Sequence, residues 1–190
     1  MRNNKNIRNF LLVLIALALI NVVSQYLFFR LDLTSEKRYS ISPATKQLLK
    51  DLKKTIVITI YLEGDLNPGF LRLKKATAEL LDEFKVYNNN ITYSYINPSA
   101  STSPKEREQN YVRMQARGMQ GTEVYEKDNE GKSITKIVFP WAEIIYDNKD
   151  TIAVNLLKNI PGRSGDENLN ISIENLEFEF TDALRVKASK

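Results

Sequence analysis

An uncharged run of 20 residues near the N-terminus is the feature that most constrains this chain. It spans residues 10–29 and reads FLLVLIALALINVVSQYLFF. A helix of that length, rising 1.5 Å per residue, reaches about 30 Å, which is the thickness of the hydrocarbon core of a bilayer. The run therefore predicts a transmembrane helix over residues 10–29.

The charges on the two sides of this run predict its orientation. Three basic residues and no acidic residue precede it, namely Arg2, Lys5 and Arg8. The basic residues that follow the run are interspersed with acidic ones. Because cytoplasmic flanks carry the excess of Lys and Arg, the pattern predicts that residues 1–9 are a cytoplasmic N-terminus and that the chain after the run is extracytoplasmic.

A cleaved signal peptide is the alternative interpretation of the same run. Ala16, Leu17 and Ala18 provide the small residues of a candidate cleavage site. Cleavage after these residues would leave the rest of the apolar run at the new N-terminus of the mature chain, so a retained anchor is favoured over a cleaved signal peptide. Both interpretations place the rest of the chain outside the cytoplasm.

The composition of the remainder excludes several classes of function. From Arg30 onward the chain carries 24 basic and 23 acidic residues, because three of the 27 basic residues lie before the apolar run. A nearly neutral domain lacks the basic face that nucleic-acid binding requires. The chain has no Cys and no His, which removes thiol chemistry, His-based catalysis and the usual zinc sites. The sequence therefore predicts no catalytic residue, no metal site, no cofactor and no nucleic-acid partner.

Residues 30–54 are predicted to be a membrane-proximal stalk that leads into a short helix. The polar stalk shows no helical or strand period. Ser42 is a candidate N-cap and Pro43 suits the first helical position, so we expect the helix to begin there and to continue over residues 45–54.

Residues 55–190 are predicted to form one extracytoplasmic α/β domain. Ser103 and Glu106 have the spacing of a capping box, and Gly118 suits the left-handed position after a helix. The pattern predicts a thioredoxin-like or Rossmann-like layer, in which helices cover a mixed sheet. Strands are expected at 55–62, 91–96, 122–127, 135–139, 142–146 and 151–156, and helices at 70–87, 104–118 and 171–186.

Two local patterns could bind ions, and each has a simpler explanation. Glu79, Asp82 and Glu83 share one helix face and could hold a divalent cation, but the same spacing is typical of a solvated helix surface. Residues 162–165 (GRSG) could form an anion-binding nest, but they lack the phosphate-loop pattern and follow no strand directly. We therefore expect neither to be a binding site.

An ordered set of segments after the apolar run resembles a known family. The segments are RLDLTSEKRYSISPAT, YLEGDLNPGF, LKKATAELLDEFKVY, YINPSAS, MQARGMQGTEV, KIVFPWAEIIYDNKDTIAVNLL and ISIENLEFEFTDAL. Together they cover nearly all of the chain after residue 29. They resemble the GldG family, the auxiliary proteins of gliding-motility ABC transporters.

The resemblance implies a function without catalysis. It implies a single-pass inner-membrane protein of Bacteroidota-type bacteria with a periplasmic main domain, which acts with a permease and an ATPase subunit in gliding and its associated secretion. Family members continue past this point to a second membrane span, so the resemblance leaves two alternatives: this chain is the N-terminal extracytoplasmic portion of such a protein, or it is a short relative. The family supplies no ligand residues that could be carried over to this sequence.

Four residues are predicted to contact partner subunits. Lys37, Arg38 and Tyr39 lie in the polar stalk, whose mixed charges and hydroxyls suit a wet protein contact. Trp141 follows Pro140 and could be a recognition ring at a strand end, or a core aromatic residue.

Two other functions remain open on the sequence. The first is an extracytoplasmic receptor for a solute or a glycan, which would need a concave pocket with converging polar groups. The second is a degenerate thioredoxin-like enzyme, against which the missing Cys and His argue.

Overall fold

The structure is a computed structural model, and it describes residues 9–17, 41–127, 131–147 and 149–188. The chain divides into two compact units, Met1–Arg38 and Tyr39–Lys190. Each unit is described by itself below.

The first unit contains a short helix, α1, at residues 9–17. Within the described ranges, no helix is both long and apolar enough to cross a membrane. The predicted transmembrane helix over residues 10–29 is therefore wrong as a feature of the fold, and residues 18–29 lie outside the described part of the chain.

The second unit contains the remaining described elements. The helices are α2 (Pro43–Asp51), α3 (Pro68–Tyr87), α4 (Pro104–Ala116) and α5 (Gly165–Ala188). The strands are β1 (Ile56–Ile60), β2 (Ile91–Tyr95), β3 (Thr122–Lys127), β4 (Ser133–Val138), β5 (Trp141–Tyr146) and β6 (Asp150–Asn155).

Four of these strands form a mixed sheet in the order β2-β1-β5-β6. Strands β1 and β2 are parallel, while β5 runs antiparallel to both of its neighbours, β1 and β6. The predicted mixed sheet flanked by helices is present. Strands β3 and β4 do not join it, because they pair with each other in a separate two-stranded sheet.

The core fills the space between one face of the mixed sheet and the helices α2, α3 and α5. Ile58, Ile60 and Ile144 are fully buried on that face of the sheet. Above them, the rings of Phe84 on α3 and Phe180 on α5 meet edge to face, with their centroids 6.4 Å apart. The apolar faces of these two helices thus meet over the sheet.

Two of the predicted helix starts are confirmed. The side chain of Ser42 accepts the backbone N–H of Thr45 at 3.2 Å, and Pro43 occupies the first turn of α2. Ser103 caps α4 by accepting the N–H of Glu106 at 3.4 Å. The reciprocal bond of the predicted capping box is absent, because the carboxylate of Glu106 accepts the hydroxyl of Ser101 instead, at 2.5 Å.

Two other helices begin earlier than predicted. Asn67 accepts the N–H of Phe70 at 3.0 Å, so α3 begins at Pro68 rather than at residue 70. Ser164 and Glu167 form a capping box, with bonds of 2.8 and 3.2 Å, so α5 begins at Gly165 rather than at residue 171.

Candidate functional site

Residues 104–138, which comprise α4, β3 and β4, connect β2 to β5 and are here called the insertion. The insertion buries only a few side chains, among them Met114, Met119 and Val138. It also leaves large apolar side chains in solvent: Val112 is 58% exposed, Tyr125 73% and Ile137 40%. Exposed apolar side chains held on regular elements suit contact with another protein.

An ion pair between a buried carboxylate and a half-exposed guanidinium fastens the end of α4 to the mixed sheet. Glu143 lies on the central strand β5, and its side chain is only 5% exposed. Arg117, in the C-cap position of α4, contacts both carboxylate oxygens of Glu143 through the same terminal nitrogen. The hydroxyl of Tyr61 donates to Glu143 Oε2 at 3.2 Å and accepts from Arg117 at 3.4 Å.

The surroundings of this triad (Tyr61, Arg117 and Glu143) shift two pKa values. Burial and the neighbouring carboxylate of Glu143 raise the pKa of the Tyr61 hydroxyl, which therefore stays protonated and able to donate. The pKa of the Arg117 guanidinium is also raised: burial opposes its charge, but the attraction of Tyr61 and Glu143 outweighs that effect.

The triad connects α4 to the mixed sheet. The carboxylate of Glu143 accepts from the guanidinium of Arg117 and from the phenol of Tyr61. Because Arg117 lies at the end of α4 and Glu143 lies on β5, these contacts fix the position of α4 relative to β5.

A second group of charges fastens the hairpin formed by β3 and β4. Lys136 on β4 lies 2.7 Å from Asp65, in the loop after β1, and 2.7 Å from Glu126 on β3. Hydrogen bonds to these two carboxylates raise the pKa of the Lys136 ammonium group. The inner face of the hairpin is thereby tied to the loop that precedes α3.

A third group lies where β1 and β2 end. Lys74 on α3 lies 2.6 Å from Glu63 and 5.0 Å from the centroid of the Tyr95 ring. The hydrogen bond from Lys74 lowers the pKa of the Glu63 carboxyl. Burial raises the pKa of Tyr95 to about 12. These contacts also hold structure together, because each charge is paired within the unit.

A depression in the surface lies on α4. It has a volume of about 460 Å³. Its lining residues all come from that one helix: Glu108, Gln109, Val112 and Arg113. Because no second element of the described chain lines the depression, its described polar groups do not converge as they do in small-molecule sites.

The four predicted contact residues are only partly described by the structure. Lys37, Arg38 and Tyr39 lie outside the described residues. Trp141 opens β5, and its indole N–H donates to the carbonyl of Gln120 at 2.8 Å. Its half-buried ring packs against a small cluster formed by Tyr61, Met114, Met119 and Phe139. The ring thus has a packing role, and its role as a partner contact stays a prediction.

Of the three acidic residues at positions 79, 82 and 83 of α3, Asp82 is exposed, and Glu79 and Glu83 are half-buried. Glu79 lies 3.9 Å from Lys75, and Asp82 accepts the hydroxyl of Tyr93 at 2.7 Å. Across the ranges that the structure describes, no group of acidic side chains is arranged to hold a metal ion. Residues 162–165 serve α5 instead, since Ser164 caps this helix.

Sequence reasoning missed the ion pair between Arg117 and Glu143. An acidic residue inside an apolar strand, WAEIIY, signals a buried charge that needs a partner. The sequence therefore indicated a buried charge at position 143. It did not indicate the partner, because Arg117 lies 26 residues earlier in the chain and contacts Glu143 only in the folded structure.

Comparisons with known proteins identify a family without a described function. No curated protein and no solved structure matches the chain significantly. The family model described as a domain of unknown function (DUF7088) matches residues 35–145, which is more than half of the chain. The chain therefore belongs to the DUF7088 family.

Proposed function

We propose that this chain is a non-enzymatic accessory subunit of an ABC transporter, which binds permease and ATPase subunits through protein–protein contacts. The resemblance to the GldG family suggests the partners and the link to gliding motility and secretion. The extracytoplasmic position is part of the proposal and follows from the same resemblance.

The observation that carries the proposal is the anchored insertion. Two groups of ion pairs, around Glu143 and around Lys136, hold α4 and the β3–β4 hairpin in place. The outward side chains Val112, Tyr125 and Ile137 are thus displayed on a fixed support. A surface positioned in advance loses less conformational entropy on binding, which favours a docking role.

The receptor alternative has less support. A solute site would require groups from several elements to converge, whereas the depression on α4 is lined by one helix. A panel of solutes and glycans that raised the melting temperature of the chain would favour the receptor instead.

Co-purification with the candidate partners tests the proposal. The full chain, tagged and co-expressed with an ABC permease and ATPase encoded beside it, should retain both in stoichiometric amounts. Val112→Glu should reduce that yield, because it places a charge on the exposed face of α4. Val86→Glu is the matched control, because Val86 is 69% exposed on α3, outside the insertion.

The melting temperatures of the two variants should match that of the unchanged chain. If Val112→Glu and Val86→Glu recover equal amounts of the permease and the ATPase, the insertion is not the surface that contacts them. The same assay tests the stalk: charge reversal of Lys37 and Arg38, or Tyr39→Ala, should also lower the yield of permease.

A further inference from the structure

Strand β3 has one edge that is not paired within the described chain. It pairs with β4 over six residues, and none of its backbone groups bonds to another described segment. An unpaired edge presents a row of N–H and C=O groups that can accept a further strand. The question is which strand the side chains of β3 would fit.

The outer face of β3 carries a short charge pattern that complements itself. Glu123, Tyr125 and Lys127 are exposed and alternate with Thr122, Val124 and Glu126, which are half-buried toward the body of the unit. Tyr125 lies midway between an acid and a base, and its hydroxyl donates to Glu123 at 2.7 Å. The pattern acid–aromatic–base becomes base–aromatic–acid when the strand is read in the opposite direction.

We propose that β3 pairs antiparallel with β3 of a second copy of this chain, about a two-fold axis at Tyr125. Glu123 of each copy then faces Lys127 of the other copy, and the two Tyr125 rings face each other. Opposite charges and aromatic rings directly across an antiparallel pair both stabilise it. The two hairpins would form one four-stranded sheet that crosses the interface.

Only one register pairs Glu123, Tyr125 and Lys127 favourably. In an antiparallel pair, residues that face each other lie on the same side of the sheet. A two-fold axis perpendicular to the sheet must therefore lie between the two copies of one residue, which face each other. An axis at Glu126 would place two glutamates opposite each other. An axis at Val124 would place Glu123 opposite Tyr125 and leave Lys127 beyond the strand bounds of its counterpart. The axis at Tyr125 alone forms two opposite-charge pairs.

A second copy fits this edge better than an unrelated extended segment. The same strand supplies both members of each charge pair, so an identical partner needs no further specificity. The half-buried inner residues and the link between Lys136 and Asp65 keep their contacts, because the pairing uses the edge and the outer face.

Charge reversal in the full chain tests the proposal by sedimentation equilibrium. In the proposed register, Glu123→Lys creates two pairs of facing lysines per dimer, one at each contact between positions 123 and 127. Lys127→Glu creates two pairs of facing glutamates at the same contacts. Each should raise the dissociation constant of the dimer by roughly tenfold or more. The double variant Glu123→Lys/Lys127→Glu should restore it.

A mixture of the two single variants provides the sharpest comparison. A Glu123→Lys copy and a Lys127→Glu copy form two opposite-charge pairs, so heterodimers should form where neither variant dimerises alone. Glu108→Lys and Lys105→Glu, exposed on α4, are matched controls and should leave the dimer unchanged.

Single-cysteine cross-linking checks the register, since the chain contains no native Cys. Tyr125→Cys should yield a disulfide-linked dimer on mild oxidation, because Cα atoms directly opposite each other lie within disulfide range. Thr135→Cys, on the outer face of β4, should not. A monomeric chain, a dimer insensitive to every reversal, or equal cross-linking at both positions would overturn the proposal.

Discussion

Replacing Arg117 by Met should destabilise the domain by removing the main partner of a buried charge. The carboxylate of Glu143 is 5% exposed, and without the guanidinium it would keep only the hydroxyl of Tyr61. Removing one partner of a buried ion pair typically costs about 3–5 kcal/mol. Arg117 is itself 48% exposed, so water can reach the vacated site, and we expect a smaller loss of about 2 kcal/mol.

The assay is urea unfolding followed by circular dichroism and by the fluorescence of Trp141, which is the single tryptophan of the chain and packs beside the triad. A loss of this size should also lower the melting temperature by roughly 4–8 °C. The two probes should report one transition if the domain unfolds as a unit.

The double variant Arg117→Met/Glu143→Gln separates the charge effect from lost packing. With a neutral amide at position 143, no uncompensated charge remains buried, so the double variant should be more stable than Arg117→Met alone. A loss below about 0.5 kcal/mol for Arg117→Met, or a double variant that is less stable than the single one, would refute the reasoning.

Three further predictions concern other polar contacts. Asn88→Ala removes the donor to the carbonyls of Leu49 and Leu52 at the end of α2; urea unfolding should show a loss of about 1–3 kcal/mol, and Asn89→Ala, at an exposed site, should show little change. Because the pKa of Tyr95 is raised from 10.0 to about 12 in the folded state, its contribution to stability is complete below pH 10 and is lost as the pH rises toward 12. The difference between spectrophotometric titrations of the unchanged chain and of Tyr95→Phe should therefore show the ionisation of this tyrosine near pH 12, and a difference centred near pH 10 would contradict the burial. Lys136→Met should speed the hydrogen exchange of backbone amides in β3 and β4 and leave exchange in β1 unchanged. If β3 and β4 exchange as slowly as in the unchanged chain, the ion pairs of Lys136 do not hold the hairpin.

The parts of the fold that follow from local chemistry could be predicted from the sequence. Ser42 and Ser103 cap helices because their hydroxyls accept backbone donors that have no other partner. Gly118 takes a φ of +81°, as a helix end requires. Strands rich in β-branched residues, such as IVITI, were located to within two residues at each end.

The parts that depend on contacts between distant segments could not be predicted. Strand β5 could pair with β4, the strand before it in the chain, or with β1, and in the structure it pairs with β1. Strands β3 and β4 therefore form a separate sheet. The alternation of exposed and half-buried side chains in β3 and β4 would be the same in either arrangement, so it could not predict the outcome. The length and apolar character of residues 10–29 predicted a spanning helix, whereas no helix within the described residues is long and apolar enough to cross a membrane. The partner of Glu143 depends on the fold in the same way.

The composition of the complex isolated through the tagged full chain tests the central claim most directly. Mass determination of the complex, after co-expression with the neighbouring ABC permease and ATPase, should show all three proteins in fixed ratio. A chain that is recovered alone, or with its own copies only, while the permease and ATPase assemble without it, would contradict the account.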